Sequence, residues 1–512
     1  MPASWAPPKV HRTGPNLAGM AVLAIDAGTT GVTALMVGEA GQLVGRGYQE
    51  FPQLFPRPGW VEHEPEDIWT ATLAACRQAL DAAEQPPTAV GVTNQRETAV
   101  LWDRATLRAP RPAVVWQDRR TAAVCDRLRE AGHEPRVAEL TGLRLDPYFT
   151  GTKLAWLAEH DQRAWAGVAD GRTAVGTVDA YVVARLTAGA RHVTDPSNAS
   201  RTLLYDLAAG GWSDELCELF SVPRGALPEV VPSSGVLGQT DPAEFLGLRL
   251  PVAGVAGDQQ AALFGQACYA PGQSKCTYGT GSFVLVNTGD TVVRSAAGLL
   301  STVAWDLGGG LVHALEGAVF VTGAAVQWLR DGLGLIGSAP EVEALAASVP
   351  DAGGVVFVPA LTGLGAPDWD PRARGAVFGL TRGTTRAHLA RATLEAIAFE
   401  VRDVVDVMVC EAGIAVPELS ADGGAAANDL LCQLQADQLG VPVRRPEVTE
   451  TTGLGAAFLA GLGTGMWSST AELAATWRLD RRFEPAAGAR DDGRHARWRR
   501  AVDRAKGWEP AG

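Results

Sequence analysis

Regular alternation of apolar and polar positions begins at Met20. AVLAID (21–26) is an apolar run ending in an aspartate; Ala-Gly-Thr-Thr-Gly follows, and VTALMVG and LVGRGYQEF then flank Glu-Ala-Gly-Gln. This pattern predicts a strand, a glycine-containing turn, a second strand, a short hairpin turn and a third strand. Across 64–84, Ile68, Leu73, Cys76 and Leu80 fall at helical spacing, with acidic residues in the first turn. AVGVT (89–93) and TAVLW (98–102) read as strands on either side of Asn94-Gln95-Arg96-Glu97. The stretch 115–170 reads as mostly helical, and a Pro/Gly-rich region covers 222–257. Near residue 265 the pattern restarts. QSKCTY (273–278), Gly-Thr-Gly-Ser and FVLVNTG (283–289) repeat the strand, Gly/Thr turn and strand of 21–37. A long amphipathic helix is expected over roughly 385–411, with Leu394, Ile397, Ala398, Val401, Val405 and Met408 as its apolar stripe. ELSADGG (418–424) and the residues after it read as a strand, a glycine turn and a helix. The repeat implies two similar α/β halves with a boundary near 255–270. Their mixed order of hairpins and helices does not fit a simple βαβ array.

Composition narrows the function classes. At 512 residues the chain exceeds one ordinary hydrophobic core, so at least two domains are expected. A net charge of −13 argues against nucleic acid or an anionic membrane surface as partner. The seven cysteines are odd in number and form no C-x-x-C pair, so neither a disulfide framework nor a zinc site is indicated and a reducing, cytoplasmic setting fits. No run reaches bilayer-spanning length, which predicts no membrane insertion. Residues 1–19 are rich in Pro and polar side chains and lack the apolar core of a secretory signal; a loose N-terminal tail is expected there.

A phosphate-binding Walker loop needs Gly-Lys-Ser/Thr, and no Gly-Lys dipeptide occurs in the chain. A G-x-G-x-x-G at Gly332, Gly334 and Gly337 follows a helical-looking segment rather than a strand, so it reads as a loop after a helix. Three other segments place glycine backbone and threonine hydroxyls where an anion would be held: Asp26–Thr30, Tyr278–Ser282 and Gly423–Asn428. Together they point to a phosphate cleft between two lobes. Asp26 in the first of them is of the type that orients magnesium-bound water. Asp258, between an apolar strand and an apolar helix, reads equally as a helix cap or as a base for a substrate hydroxyl. Arg96-Glu97 reads as an ordinary exposed pair or as a donor and acceptor matched to a vicinal diol.

Asp26–Thr30, Asn94–Glu97, Val115-Trp116-Gln117, Asp146–Phe149, Gly257–Gln260 and Tyr278–Gly281 together resemble the glycerol branch of the FGGY carbohydrate kinase family. Phe149–Leu157 and Gly375–Gly383 look like its two signatures, and PGWVEHEP (58–65) and HVTDPSNASRT (192–202) are similar to that branch in particular. The likeness runs from about Met20 to about Trp508. It implies two actin-like (ribonuclease H-like) domains, 20–265 for the polyol and first phosphate loop and 266–512 for the nucleotide, with an ATP/substrate cleft between them. It further implies Asp258 as general base on glycerol, Arg96, Glu97, Tyr148 and Gln259 as its hydrogen-bonding partners, and Trp116 and Phe283 as an apolar wall. Thr29, Thr30, Gly31 and Thr280 would meet phosphates, Gly323, Gln327, Gly424 and Asn428 would hold ATP or ADP, and Asp26 and Asp258 would serve Mg²⁺. A homo-oligomer, dimer or tetramer, is implied as well.

The chain departs from the family where Thr33 stands in place of a phosphate-reaching arginine. It also departs at Gln239–Leu250, which lacks a glycine-rich basic effector loop, and at Pro232–Gly235, which carries no histidine. Kinases of xylulose, erythritol or dihydroxyacetone are the neighbouring alternatives, and a catalytically weak nucleotide-binding regulator is the alternative of another class.

Overall fold

The computed structural model describes residues 19–510; the tail expected at 1–19 lies, but for Gly19, outside the described residues. Two sheets organise the chain. The first runs, in spatial order, Leu43–Glu50, Gly31–Gly38, Ala21–Ala27, Pro87–Asn94 and Pro251–Gly257, with Ser234–Gln239 added at the edge. The second runs Leu311–Val319, Ser282–Gly289, Ser274–Tyr278, Leu419–Asp422 and Val443–Pro446, with Leu300–Asp306 and Leu479–Phe483 at its edges. In both, the first two pairings are antiparallel and the next two parallel. The repeat visible in the sequence is therefore a repeat of topology. It belongs to the α/β architecture of paired actin-like halves.

Most predicted elements appear within a few residues of their expected bounds. The helix expected at 64–84 spans Pro65–Ala82, and the long amphipathic one spans Arg386–Ala412 and ends at Gly413 in the left-handed conformation that favours glycine. Region 115–170 folds as four short helices. Of the three glycines expected in a loop, Gly332 instead closes a π-helical turn, Trp328–Gly332, that continues the helix Gly323–Gln327, and Gly334 and Gly337 follow in the loop.

One packing relation departs from a linear division at 265/266. The helix Thr451–Thr464, late in the chain, packs against the first sheet. Leu454, Ala457 and Phe458 share one buried cluster with Val22, Ala24, Ala253 and Ala256. The segment is nearly all apolar or glycine, as expected of a helix buried on several sides. Glycine lets it approach so closely: a Cβ at Gly455 would stand 1.8 Å from the Ala261 carbonyl oxygen, on the helix that carries Asp258. Gly455→Ala is accordingly expected to destabilise the protein by about 1–3 kcal/mol through overpacking. Urea unfolding of purified variant and parent checks this, and equal midpoints would contradict the packing described.

Candidate active site

The site lies where the carboxyl ends of the two sheets' strands face each other. The first sheet contributes Asp26 from Ala21–Ala27, the 94–97 turn after Pro87–Asn94, and Asp258, which opens the helix Asp258–Gly265. The N-cap of that helix is Gly257, so Asp258 sits in the first turn rather than at the cap. Its Oδ1 accepts the Gln259 N–H at 2.7 Å and forms an ion pair with Arg96 Nε at 3.0 Å, leaving Oδ2 for a ligand. The Asp258 side chain is 29% exposed, whereas the Arg96 side chain is 1% exposed. The carboxylate thus rests on a buried cation and faces the cleft.

Around Arg96 stands a cluster of buried charge that joins the two halves. Its guanidinium donates to both Glu316 oxygens, and Arg201 donates to Glu97 at 2.7 Å and to Glu316 at 2.9 Å. Glu316 comes from the second sheet; Arg96, Glu97 and Arg201 come from the first half. Burial opposes the Glu316 charge, yet Arg201 and Arg96 pull its pKa down to about 2. For Glu97, burial outweighs the same cations and raises it. Glu97 also holds φ at 60°, a strained backbone state for a non-glycine residue, of the kind that clusters at ligand sites. Tyr148 Oη lies 3.4 Å from Arg96, Trp116 meets the Tyr148 ring edge-on at 5.6 Å, and the Phe283 ring lies 5.8 Å from the Arg96 guanidinium carbon. The seven residues expected to contact substrate therefore converge on one place, Gln259 being the neighbour of Asp258.

Sequence reasoning missed Arg201, Glu316 and Lys275. Arg201 follows the turn Pro196–Ala199, capped by Asp195, in which Ser197 Oγ accepts the Gly257 N–H at 2.9 Å. HVTDPSNASRT thus aligns both Arg201 and the Asp258 turn. The signature at 149–157 has a comparable task. Its Lys153, fully buried, donates to the Pro147 carbonyl at 2.9 Å and also to that of Tyr148, which fixes the loop presenting Tyr148. The available signal in each case was a lone charge inside an otherwise apolar or small-residue stretch.

The phosphate-loop candidates fall in two groups. Thr280, Gly323, Gln327, Gly424 and Asn428 line one cavity of about 480 Å³ in the second half. There the Gly323 N–H donates to the Gly279 carbonyl at 3.0 Å, an approach that a Cβ at Gly323, 2.6 Å from the same oxygen, would prevent. Asn428 Oδ1 caps the helix Asp429–Leu439, which leaves its amide N–H₂ for a ligand. Thr29, Thr30 and Gly31 lie outside that cavity, in the first sheet's turn, where Thr29 Oγ1 accepts the Trp116 indole N–H at 2.9 Å. Thr33 pairs directly across from Asp26 and therefore shares its face of the sheet.

A hydrogen-bond relay holds the 28–30 turn from below. Gln53 Nε2 donates to the Thr29 carbonyl at 2.8 Å and Gln95 Nε2 to that of Gly28 at 3.0 Å. The imidazole of His63 spans the two amides, its Nε2 2.6 Å from Gln53 Oε1 and its Nδ1 3.3 Å from Gln95 Nε2. The proton is thus assigned to Nε2. Burial lowers the His63 pKa from 6.5 to about 4, so the ring is neutral. As pH falls from 6.5 toward 4 the unfolded chain takes up a proton that the folded chain refuses, and stability is lost. The stability deficit of His63→Gln relative to the parent is expected to shrink by about 2 kcal/mol between pH 7 and pH 5. Denaturation of both proteins at the two pH values checks it. The difference isolates His63, since Asp26 and Asp179, both raised to about 7 by burial, are common to the two proteins and cancel.

Among the described residues no three metal-ligating side chains gather. What the site offers is a pair of carboxylates: burial first, and then Asp258, push Asp26 up to about 7. Two mutually repelling carboxylates with room for water fit a hard cation such as Mg²⁺, which takes few protein ligands and keeps water and phosphate oxygens.

Fold and site together define a carbohydrate kinase, and the comparisons agree. The family model for the N-terminal domain of FGGY carbohydrate kinases matches residues 21–265, and that for the C-terminal domain matches 274–464; the chain belongs to this family. Within it, the glycerol kinase of Aromatoleum aromaticum is 56% identical over 494 residues, covering 96% of this chain and 99% of that protein. Glycerol kinase 2 of Thermotoga maritima is 51% identical over 492 residues, covering 95% and 99%. Among solved structures, Plasmodium falciparum glycerol kinase with ADP superposes with a TM-score of 0.87 at 31% identity, covering 95% of this chain and 98% of that one. No helix among the described residues is long and apolar enough to cross a membrane.

Proposed function

We propose that this chain transfers the γ-phosphoryl group of ATP to a terminal hydroxyl of glycerol, giving sn-glycerol 3-phosphate and ADP. The observation that carries the reading is the convergence of Asp258, Arg96, Glu97, Tyr148, Trp116 and Phe283 on one spot. Relatives named as glycerol kinases at over half identity support the substrate.

In this reading Arg96 and Glu97 supply donors and an acceptor to adjacent hydroxyls, Tyr148 adds a third contact, and Trp116 and Phe283 cover the carbon backbone. Asp258 Oδ2 takes the proton of the attacking hydroxyl, while Arg96 Nε keeps that carboxylate aimed. Thr29, Thr30, Gly31 and Thr280 meet the phosphates, and the cavity holding Gly323, Gln327, Gly424 and Asn428 takes the remainder of the nucleotide. Asp26 and Asp258 would hold Mg²⁺, which supplies charge neutralisation between phosphate oxygens when bound. Phosphoryl transfer asks the protein chiefly for such positioning and charge stabilisation, which this set provides. We assign residues 20–265 to the polyol-binding domain and 266–512 to the nucleotide-binding one, with Thr451–Thr464 packed on the former.

ADP release by the purified chain with Mg-ATP, compared across glycerol, dihydroxyacetone, xylulose and erythritol, tests the reading. The highest kcat/KM is expected on glycerol. A higher value on any of the other three sinks the substrate assignment, and no release on all four sinks the kinase reading.

A further inference from the structure

Lys275 is fully buried, on the strand Ser274–Tyr278 that leads into the Tyr278–Gly281 turn. A lysine hidden so completely is costly unless its charge is matched and its protons are used. Both conditions are met in part: burial still lowers its pKa against the pull of nearby carboxylates, and two of its three N–H groups have partners. Its Nζ donates to Gln259 Oε1 and, at 2.8 Å, to Thr277 Oγ1, and Asp422, Asp258 and Glu316 are the carboxylates whose fields favour its charge. With Arg96 and Arg201 it makes three cations set against Asp258, Glu97 and Glu316.

We propose that Lys275 is a positioning residue that fixes which end of the Gln259 amide faces the substrate. An ammonium group has three donors and no acceptor, so it binds only the carbonyl end of an amide. Gln259 Oε1 is thereby turned inward, and Nε2 is the end left for the cleft. Gln259 then presents donors alone, beside the acceptor Oδ2 of Asp258. A polyol hydroxyl placed between them gives its proton to Asp258 while its oxygen receives the Gln259 N–H. The arrangement settles the direction of that hydrogen bond before substrate arrives, which is preorganisation of the kind that lowers the cost of binding. Because Lys275 comes from the second half and Gln259 from the first, the amide is aimed only when the two halves are in register.

The inference rests on the proposed role of Gln259 toward glycerol, and three variants separate the two. Gln259→Leu removes the amide; glycerol KM is expected to rise about tenfold, a typical worth of one such hydrogen bond. Gln259→Glu keeps an acceptor for Lys275 and a similar shape but offers no N–H, and it is expected to lose as much as the leucine variant. Lys275→Met leaves the amide free to turn and is expected to raise glycerol KM by a similar factor. Combined with Gln259→Leu it should cost no more than the larger single effect, because both act through one group. ATP binding, followed by nucleotide fluorescence, serves as the check that each variant is folded. Unchanged glycerol KM in Gln259→Leu overturns the placement of Gln259 itself. An effect in the leucine variant with near-parental KM in Gln259→Glu overturns the donor orientation. Multiplicative effects of Lys275→Met and Gln259→Leu overturn the action of Lys275 through the amide. Should Lys275→Met fail to fold, the glutamate variant still decides.

Discussion

Glu316→Gln is expected to destabilise the protein by about 3–5 kcal/mol, the usual cost of removing one partner from a buried ion cluster. Glu316 is fully buried and is the only carboxylate that hydrogen-bonds both Arg96 and Arg201 among the described residues, Glu97 reaching Arg96 only at 3.8 Å. An amide there can accept from one guanidinium, but it carries no charge. Two cations then remain in a dry region with Glu97, whose own charge burial already works against, and with Asp258, which is partly exposed to the cleft. The same change releases Arg96 from its bidentate clamp, so glycerol KM should rise along with the loss of stability. Urea unfolding followed by tryptophan fluorescence, together with steady-state kinetics, checks both. A midpoint within error of the parent would show that the inter-half cluster does not hold the cleft together.

The second large effect concerns Asp258. Asp258→Asn is expected to lower kcat on glycerol by about 1,000-fold, the middle of the range for loss of a positioned general base. Stability should change little. The side chain is partly exposed and occupies the first turn of its helix rather than the cap, the amide oxygen can still accept the Gln259 N–H, and Arg96 keeps its bonds to Glu316. Binding of ATP is expected to persist, since the nucleotide cavity lies in the second half. Retained turnover would remove Asp258 from the chemistry and leave it a structural partner of Arg96.

The sequence disclosed the fold well because its signals were local. Strand, Gly/Thr turn and strand recur at 21–37 and 273–289, and each copy became the centre of a sheet of the same topology. Thr451–Thr464 was not legible as part of the first half. Its apolar, glycine-rich composition shows that it is buried, but nothing local says against which sheet. The site divided along the same line. Arg96, Glu97 and Asp258 stand at strand ends, where a charge after an apolar run draws notice. Glu316 lies 220 residues from Arg96 in the chain, within LVHALEGAV, and only tertiary structure brings it there. Lys275 lies inside a strand whose burial pattern hides the one group that reaches Gln259. Thr33 could be named as a departure from the family, and its place opposite Asp26 adds that it faces the same side of the sheet.

The central claim is that the cleft passes a phosphoryl group from ATP to glycerol rather than to water. The most direct measurement is phosphorus NMR of the products formed by the purified chain with Mg-ATP and glycerol, in parallel with Asp258→Asn. The account predicts one glycerol 3-phosphate for each ADP, little inorganic phosphate, and almost no product from the variant. ADP accompanied by inorganic phosphate, or equal product from Asp258→Asn, would contradict it.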